Sequence, residues 1–223
     1  MGLNVILMGA PGAGKGTQAG RVAKERGLPT IATGDILREA MRTPGVMAPE
    51  ARARMERGEL VDDDTMIAIV RDRLWRPDAV QGFVLDGFPR TVSQAEALDG
   101  LIAERNNGPL VVVDIEVSPD ELIRRLAVRR VCGTCGANAN PEEPTATACS
   151  PCGGRLVQRV DDNEHVVTER LKIYVQATRP VLEYYRARPT FRVVNGAQTP
   201  DLVARQLDAM IDEAASAAQP ARK

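Results

Sequence analysis

Short apolar runs alternate with amphipathic stretches along most of the chain. The runs at 3–8, 83–85, 110–115 and 191–194 have the length of strands, and the valine-rich run at 110–115 is typical of a strand buried on both faces. Capping and stop signals place helices at 17–26, from 33 to a break at 44–45, at 49–57, from 62 to 74, after 90 up to 105, and at 118–130, 163–188 and 200–217. This alternation predicts an α/β fold, with a parallel β-sheet flanked by helices.

The stretch from 131 to 162 breaks the alternation. It is rich in Cys, Pro, Gly, Thr and Ala and has little apolar periodicity. Such a stretch fits neither a strand nor a helix of the main layers, so it predicts a subdomain inserted into the α/β fold.

The bulk composition is that of an ordinary globular protein, with 43% hydrophobic and 26% charged residues. A formal net charge of −1 gives no overall positive field of the kind that favours nucleic acid or a membrane surface. No apolar run approaches the ~18 residues of a membrane span, and the first residues lack the charged leader of a secretory signal. We therefore expect a cytoplasmic protein that binds neither nucleic acid nor membrane. We also expect a monomer, because no apolar excess requires a partner.

A glycine-rich segment, Gly-Ala-Pro-Gly-Ala-Gly-Lys-Gly-Thr at 9–17, joins the first predicted strand to the first predicted helix. A phosphate-binding loop requires this context, because glycines let backbone N–H groups converge on phosphate and the helix N-terminus adds partial positive charge. Lys15 adds a full positive charge. Gly16 stands where the general motif has Ser or Thr, and the hydroxyl follows at Thr17, so direct magnesium ligation by the loop is in question. A simple glycine turn is the alternative.

The four cysteines form two CxxC pairs, Cys132/Cys135 and Cys149/Cys152, with thirteen residues between the pairs. Two tight turns that present four thiolates predict a structural zinc site of the ribbon type. A segment of about thirty residues cannot bury a core of its own, and a metal would supply the missing stability. Two disulfides are the alternative. His165 lies outside the cluster and is expected on a helix surface.

Several motifs together resemble nucleoside monophosphate kinases, and most closely the adenylate kinases with a long, zinc-binding lid. The motifs occur in that family's order and span essentially the whole chain. They are the loop at 9–17, Ala-Thr-Gly-Asp at 32–35 with Leu37-Arg38, Leu-Asp-Gly-Phe-Pro-Arg at 85–90 with Gln94, Arg125 with Arg129-Arg130, Arg159 with Asp161-Asp162 and Arg170, and Asn195-Gly196 with Gln198.

This resemblance implies reversible phosphoryl transfer between Mg-ATP and AMP, giving two ADP. It implies a P-loop core domain at 1–31, 62–128 and 163–223, a helical AMP-binding arm at 32–61 and a zinc-binding lid at 129–162. Asp86 would hold Mg²⁺ through water, since this ion keeps much of its hydration. A turn or capping role is the alternative for Asp86.

The resemblance also implies the residues that bind each nucleotide. For ATP they are Gly12, Ala13, Gly14, Lys15, Gly16, Thr17, Arg125, Arg129 and Gln198. For AMP they are Thr33, Arg38, Glu59, Leu60, Val61, Gly87, Phe88, Pro89, Arg90, Gln94, Arg159 and Arg170. Charge neutralisation during the reaction is implied for Lys15, Arg90, Arg125, Arg129, Arg159 and Arg170. Taken singly, each arginine has the alternative of a solvated helix face, and Gln94 that of an exposed helix residue.

Two other functions stay open from the sequence. One is the same fold acting on UMP, CMP or GMP, or using GTP as donor, because specificity is a difference of affinities that one sequence shows poorly. The other is a zinc-bearing regulatory module that binds nucleotide without turnover. The lid loop at 137–148 holds no aromatic residue, so the adenine of ATP would have little cover there.

Overall fold

The computed structural model of the chain describes residues 2–43, 47–139, 145–159, 162 and 164–218. Its strands are β1 Leu3–Met8, β2 Thr30–Ala32, β3 Gly82–Asp86, β4 Leu110–Glu116, β5 Arg130–Cys132, β6 Leu156–Gln158 and β7 Phe191–Asn195. Within the described residues, one parallel sheet has the strand order β2-β3-β1-β4-β7, and β5 pairs with β6 in a separate antiparallel ribbon. The predicted α/β fold is confirmed.

Helices cover both faces of the parallel sheet. They are α1 Lys15–Arg26, α2 Thr33–Arg42, α3 Pro49–Glu56, α4 Asp63–Leu74, α5 Val92–Arg105, α6 Pro119–Ala127, α7 Glu164–Ile173, α8 Arg179–Arg186 and α9 Pro200–Ala217, with a 3₁₀ turn at Pro77–Ala79 and a π-helical turn at Tyr174–Thr178. No helix in the described ranges is long and apolar enough to cross a membrane.

Two apolar clusters form the core, one on each face of the sheet. Ile6 and Met8 of β1 pack into the cluster that contains residues of α4, α5 and α8. Val5 and Leu7 pack into the other, with residues of α1, α6 and α9. This split follows from the two-residue period of a strand, which sends alternate side chains to opposite faces. A strand buried on both faces therefore has the continuous apolar sequence seen in β1 and β4.

Local signals set several helix ends. Asp62 caps α4 by accepting a hydrogen bond from the backbone N–H of Thr65 at 2.8 Å. Thr91 caps α5 in the same way, through the N–H of Gln94 at 3.2 Å. At the C-terminal end of α1, Gly27 takes the left-handed conformation (φ 64°) that favours glycine after a helix.

Two predicted helices differ from the observed ones by more than two residues. The helix predicted at 118–130 ends at Ala127, and Arg130 instead begins β5, where it pairs with Gln158. The helix predicted at 163–188 is interrupted by the π-helical turn, which ends two residues before Pro180 of α8. Proline has no N–H and its ring crowds the preceding turn, so a regular α-helical ladder cannot pass through it. Strand β2 was not predicted, because three residues are too few for a period to show.

The inserted segment carries very little core. Cys132, Cys149 and Leu156 are its buried apolar residues among those described, with three partly buried alanines packed against them. This agrees with the expectation that the segment needs a further source of stability.

Candidate active site

The glycine-rich loop leads from the carboxyl end of β1 into α1, which begins at Lys15, two residues earlier than predicted. Gly12 (φ 89°) and Gly14 (φ 98°) adopt conformations that side chains other than glycine rarely take. Nζ of Lys15 donates to the carbonyl oxygens of Gly9 at 2.8 Å and Ala10 at 3.0 Å. The lysine therefore folds back over the loop, where a phosphate would face it. Ala13 is buried inside the loop.

Burial lowers the pKa of Lys15 from 10.5 to about 8. The charge of Asp86 acts in the opposite direction, while Arg90, Arg170 and Arg129 lower the pKa further. Three arginines thus lie close enough to Lys15 to affect its charge. Such a concentration of positive charge in a partly buried site is suited to an anion with several charges.

Asp86 ends β3 beside the loop. A Cβ placed on Gly16 would lie 3.1 Å from Oδ2 of Asp86 and 3.4 Å from Nδ2 of Asn138, which belongs to the inserted segment. A side chain at position 16 would therefore crowd this carboxylate, and the glycine that departs from the general motif avoids that contact. The same geometry shows that the inserted segment reaches over the loop.

Two adjoining clefts open beside the loop. The first, here called the inner cleft, includes Gly9, Pro11, Lys15, Phe88, Pro89 and Tyr174 in its lining. The second, the arm cleft, includes Thr33, Arg38, Glu59, Val61, Met66 and Gln94. Gly58, Leu60, Gly87, Arg90 and Arg170 line both. Most residues predicted to bind AMP are therefore brought together, although they come from separate parts of the chain.

Thr33 and Arg38 lie on the first turns of α2. Thr33 is buried, and its Oγ1 donates to the backbone carbonyl of Asp86 at 3.3 Å. Arg38 is held by an ion pair with Asp35 on the same helix. Glu59 makes a two-pronged ion pair with Arg57, at 2.6 and 2.9 Å.

Arg90 is anchored through both its side chain and its backbone. Its Nε donates to the carbonyl of Gly87 at 2.8 Å, and its own carbonyl accepts from Oγ1 of Thr178 at 3.1 Å. Thr178 belongs to the π-helical turn, so this irregular turn positions an arginine that lines both clefts. Single-turn π-helices are common at functional sites for this kind of reason.

Gln94 is buried, not exposed as the alternative interpretation required. Its Oε1 accepts from the backbone N–H of Arg90 at 2.8 Å, and its Nε2 donates to Oδ1 of Asp63 at 2.7 Å. Asp63 was not predicted as a site residue. From the sequence it was one of three acidic residues suited to the N-terminus of α4, and nothing in the sequence separated it from Asp62 and Asp64.

Asp162, which is buried, was also missed as a site residue. It forms a two-pronged ion pair with Arg129, with Nε at 2.6 Å from Oδ2, and it accepts from Nη1 of Arg170 at 3.2 Å. Two of the predicted phosphate-binding arginines thus meet on one carboxylate at the end of the inserted segment. Asp162 belongs to a sequence motif, but its contact with Arg129 joins residues 33 positions apart, and no local pattern predicts such a contact.

The remaining predicted residues lie at the edge of the site. Arg125 pairs with Glu121 at 2.7 Å and donates to the carbonyl of Gly196 at 2.9 Å. Gln198 lines none of the clefts described here, and its side chain bonds Gln206 at 2.8 Å. Arg159 follows β6 at the end of the inserted segment.

A third cleft, here called the outer cleft, has a volume of about 390 Å³ and lies between the loop and the inserted segment. Gly16, Thr17 and Pro200 line its core side, and Asn138, Ala139, Ala146 and Ala148 line the other. The short side chains of the inserted segment leave this cleft open. The sequence expectation of little aromatic cover agrees with this lining for the described part of the loop, which excludes 140–144.

The four cysteines converge on one point. Sγ of Cys132 lies 3.4 Å from that of Cys152, Sγ of Cys135 lies 3.6 Å from that of Cys149, and all four sulfurs are within 4.8 Å of one another. None is in a disulfide. Zn–S bonds of about 2.3 Å in a tetrahedron place sulfurs about 3.8 Å apart, so these residues fit a zinc ion.

The turns around the cysteines favour thiolates in part. Backbone N–H groups, that of Cys135 above all, lower the pKa of Cys132 to about 6. Burial raises the pKa of Cys149, so a cation is needed to hold all four sulfurs as thiolates. Gly154 is also required by this packing, because a Cβ there would lie 2.8 Å from Sγ of Cys132. His165 is exposed on α7.

Comparison with known proteins gives a consistent result. A family model described as adenylate kinase matches residues 7–190. An adenylate kinase of Archaeoglobus fulgidus is 43% identical over 216 residues, which cover 95% of this chain and 99% of that protein. Adenylate kinases of a Geobacillus species and of Bacillus subtilis are 46% and 44% identical over 200 residues, which cover 88% of this chain and 92% of each relative.

Proposed function

The chain belongs to the adenylate kinase family, which transfers a phosphoryl group between ATP and AMP, and we propose that the inner cleft and the arm cleft are where its two nucleotides meet. Arg90 and Arg170 line both clefts, and this shared lining supports the proposal most directly. A phosphoryl group that passes between two nucleotides has to lie at such a junction. Arginine suits the position because its planar fork binds phosphate with two parallel hydrogen bonds and keeps its proton.

The loop and Lys15 bind the phosphates of the donor in this proposal. The loop offers backbone N–H groups and the N-terminus of α1, and Lys15 adds a charge close to the transferred group. Asp86 lies over Gly16, where it would hold a hydrated Mg²⁺ that came with ATP. When bound, that ion neutralises charge on the phosphates. Thr17 lines the outer cleft, which leaves room for the rest of the donor.

The arm cleft takes AMP in this proposal. Thr33, Gln94 and Arg38 all line it, and we assign Thr33 and Gln94 to the base and Arg38 to the phosphate. The segment 59–61 contributes Glu59, Leu60 and Val61 to its lining. No general base is needed, because the attacking atom is an AMP phosphate oxygen that is already ionised.

Catalysis then consists of positioning and charge neutralisation. Lys15, Arg90 and Arg170 surround the inner cleft, and Arg129 is joined to Arg170 through Asp162. Arg125 and Arg159 are proposed to add charge from the edges of the site. Closure of the inserted segment over the loop excludes water, which strengthens these electrostatic contacts and prevents loss of the phosphoryl group to water.

We assign the segment 32–61 to an AMP-binding arm and 129–162 to a lid, with the remainder as the core. The lid is proposed to carry a structural zinc ion on Cys132, Cys135, Cys149 and Cys152. Its small core supports this assignment, since only a few residues are buried there among those described. The metal would contribute folding free energy to the lid and no chemistry to the reaction. A monomeric state and a cytoplasmic location stay predictions from composition.

The test is ADP formation from Mg-ATP with AMP, CMP, UMP and GMP offered separately. We expect a clear preference for AMP. Preference for another acceptor would keep the mechanism and overturn the assignment of Thr33 and Gln94. Absence of activity with every acceptor would favour a nucleotide-binding module without turnover.

A pair of variants tests the junction of the clefts. Removing Arg90 by Arg90→Ala should lower kcat on the order of 10²–10³-fold, as expected when a donor to a developing charge is lost. Arg76→Ala is the matched control, because the side chain of Arg76 is exposed and its described ion pair is with Asp72. Equal kcat values for the two variants would contradict the proposal.

A further inference from the structure

Asp63, the first residue of α4, lies beside Gln94 although the two are 31 positions apart. Oδ1 of Asp63 accepts from Nε2 of Gln94 at 2.7 Å, and Oδ2 accepts from Oγ1 of Thr91 at 2.8 Å. On its other side Gln94 accepts the backbone N–H of Arg90 at 2.8 Å through Oε1. Both ends of the Gln94 carboxamide are therefore held by the protein.

These partners allow only one orientation of the carboxamide. A carboxylate can only accept hydrogen bonds, and a backbone N–H can only donate. Nε2 of Gln94 must therefore face Asp63, and Oε1 must face Arg90. A rotation by 180° would place Oε1 against the carboxylate and Nε2 against the N–H, which is unfavourable on both sides. Thr91 in turn holds the carboxylate, so the orientation of Gln94 is fixed through two further side chains.

The orientation leaves a defined pattern for a ligand. An amide has two N–H donors and an oxygen with two lone pairs. One of each is used by Asp63 and Arg90, so one N–H and one lone pair remain for the arm cleft, which Gln94 lines. Asp63 does not line that cleft. Its hydrogen bond to Gln94 is its link to a ligand there.

The free N–H and the free oxygen lone pair of Gln94 match the hydrogen-bonding groups of adenine and do not match those of hypoxanthine. Glutamine binds adenine with two hydrogen bonds because adenine offers an N–H donor at C6 beside a ring-nitrogen acceptor. Hypoxanthine, the base of IMP, has a carbonyl acceptor at C6 beside an N–H, so the same edge has the opposite pattern. A carboxamide that could rotate would bind either base, whereas a fixed one binds one of them.

We propose that Asp63 is a specificity-determining residue, which selects AMP over 6-oxopurine nucleotides by holding the Gln94 carboxamide in one orientation. This proposal rests on the proposed function, in which Gln94 contacts the acceptor base. Asp63 is a positioning residue and touches no substrate.

The variant Asp63→Asn isolates this role, because it keeps the size of the side chain and adds a donor. The amide introduced by this substitution can turn its N–H toward Oε1 of a rotated Gln94, so the penalty on that side disappears. The N–H of Arg90 stays in place and still favours the original orientation. We therefore expect partial relaxation. The ratio of kcat/KM for AMP to that for IMP should fall by about tenfold, one bidentate amide–base pair being worth roughly that factor or more.

The direction of each change separates positioning from a structural role. With Asp63→Asn, kcat/KM for IMP should rise while that for AMP falls a few-fold, mainly through KM. Asp64→Asn is the matched control, since Asp64 is the next residue of α4, is exposed and loses the same charge. It should change neither value. In a Gln94→Ala background, Asp63→Asn should have no further effect on the ratio.

Several results would overturn the proposal. They are a parallel fall of both activities in Asp63→Asn, an unchanged ratio, or the same effect with and without Gln94. If Asp63→Asn proves too unstable to assay, Asp63→Ser replaces the carboxylate with a hydroxyl that can donate as well as accept, and it should shift the ratio in the same direction. A wild-type protein that prefers AMP, with a ratio insensitive to both variants, would refute only this inference. A wild-type protein without preference for AMP would refute the proposed function as well.

Discussion

The affinity of the chain for Mg-ATP should decrease as pH rises through 8, because the charge of Lys15 is lost there. Its Nζ bonds two loop carbonyls, at 2.8 and 3.0 Å, and burial lowers its pKa to about 8 in the absence of nucleotide. An ordinary lysine would keep its charge up to about pH 10. The perturbation is thus a change of pH alone, and it acts on one group of the phosphate-binding loop.

The size of the effect follows from the pKa. At pH 7 about nine-tenths of the free protein carries charged Lys15, and at pH 9.5 about one molecule in thirty does. Bound phosphates favour the charged form and raise this pKa, so binding at high pH takes up a proton. If only the charged form binds well, the apparent Kd for Mg-ATP should rise about thirtyfold between pH 7 and pH 9.5.

Isothermal titration calorimetry without AMP measures both the apparent Kd for Mg-ATP and the number of protons taken up on binding. Titrations in two buffers with different ionisation enthalpies give the number of protons taken up, which should approach one per ATP near pH 9. Lys15→Arg is the control, since a guanidinium keeps its proton over this range. The variant should bind more weakly at pH 7, because arginine does not fit the loop in the same way. Its affinity should then stay nearly constant up to pH 9.5.

Two results would refute the reasoning. One is a wild-type affinity that does not change between pH 7 and pH 9.5, which would mean that Lys15 stays charged in the free protein. The other is a parallel loss of affinity in wild type and Lys15→Arg, which would assign the pH dependence to another group.

Three further changes have expected outcomes. Chelation of metal, or Cys149→Ser, should lower Tm by about 5 °C or more, and zinc should restore the chelated protein but not the variant; equal Tm with and without zinc would exclude a structural metal. Gly16→Ser should reduce kcat, because its Cβ would crowd the Asp86 carboxylate at a cost of about 1–3 kcal/mol. Gly20→Ser is the control and should leave kcat unchanged, because a Cβ at Gly20 would meet open space. Asp62→Ala should cost about 1 kcal/mol of unfolding free energy in urea at pH 7 by removing a helix cap. Since the N–H that this carboxylate accepts lowers its pKa, the difference should shrink only as pH falls from 5 to 3, and a difference independent of pH would contradict the capping role.

The sequence was most informative where a feature depends on neighbouring residues. The phosphate-binding loop needs glycines and a lysine within nine positions, and each cysteine pair needs only four, so spacing alone predicted both. The bounds of α9 also agree with the prediction, because its proline start and amphipathic pattern lie within the helix itself. The end of α6 was wrong, since the turn into β5 is set by pairing with Gln158, which lies far along the chain.

In the candidate site, too, the sequence identified individual residues but not the contacts between residues that are distant in the chain. The sequence pointed to Gln94, but its burial and its contact with Asp63 appear only when α4 packs against α5. The pairing of Arg129 with Asp162 likewise requires the inserted segment to return to the core. The individual roles of the arginines stay predictions, because a guanidinium that binds phosphate and one that faces solvent have the same local sequence.

By itself, then, the sequence determined the α/β fold class, the phosphate-binding loop and the metal-binding spacing of the cysteines, because each is encoded in local periodicity or in a short motif. Only the tertiary structure decided which of three consecutive acidic residues holds Gln94, which carboxylate lies against residue 16, and which arginines lie at the junction of the two clefts. These features depend on distances between side chains from separate elements, and such distances are fixed by how the helices pack on the sheet.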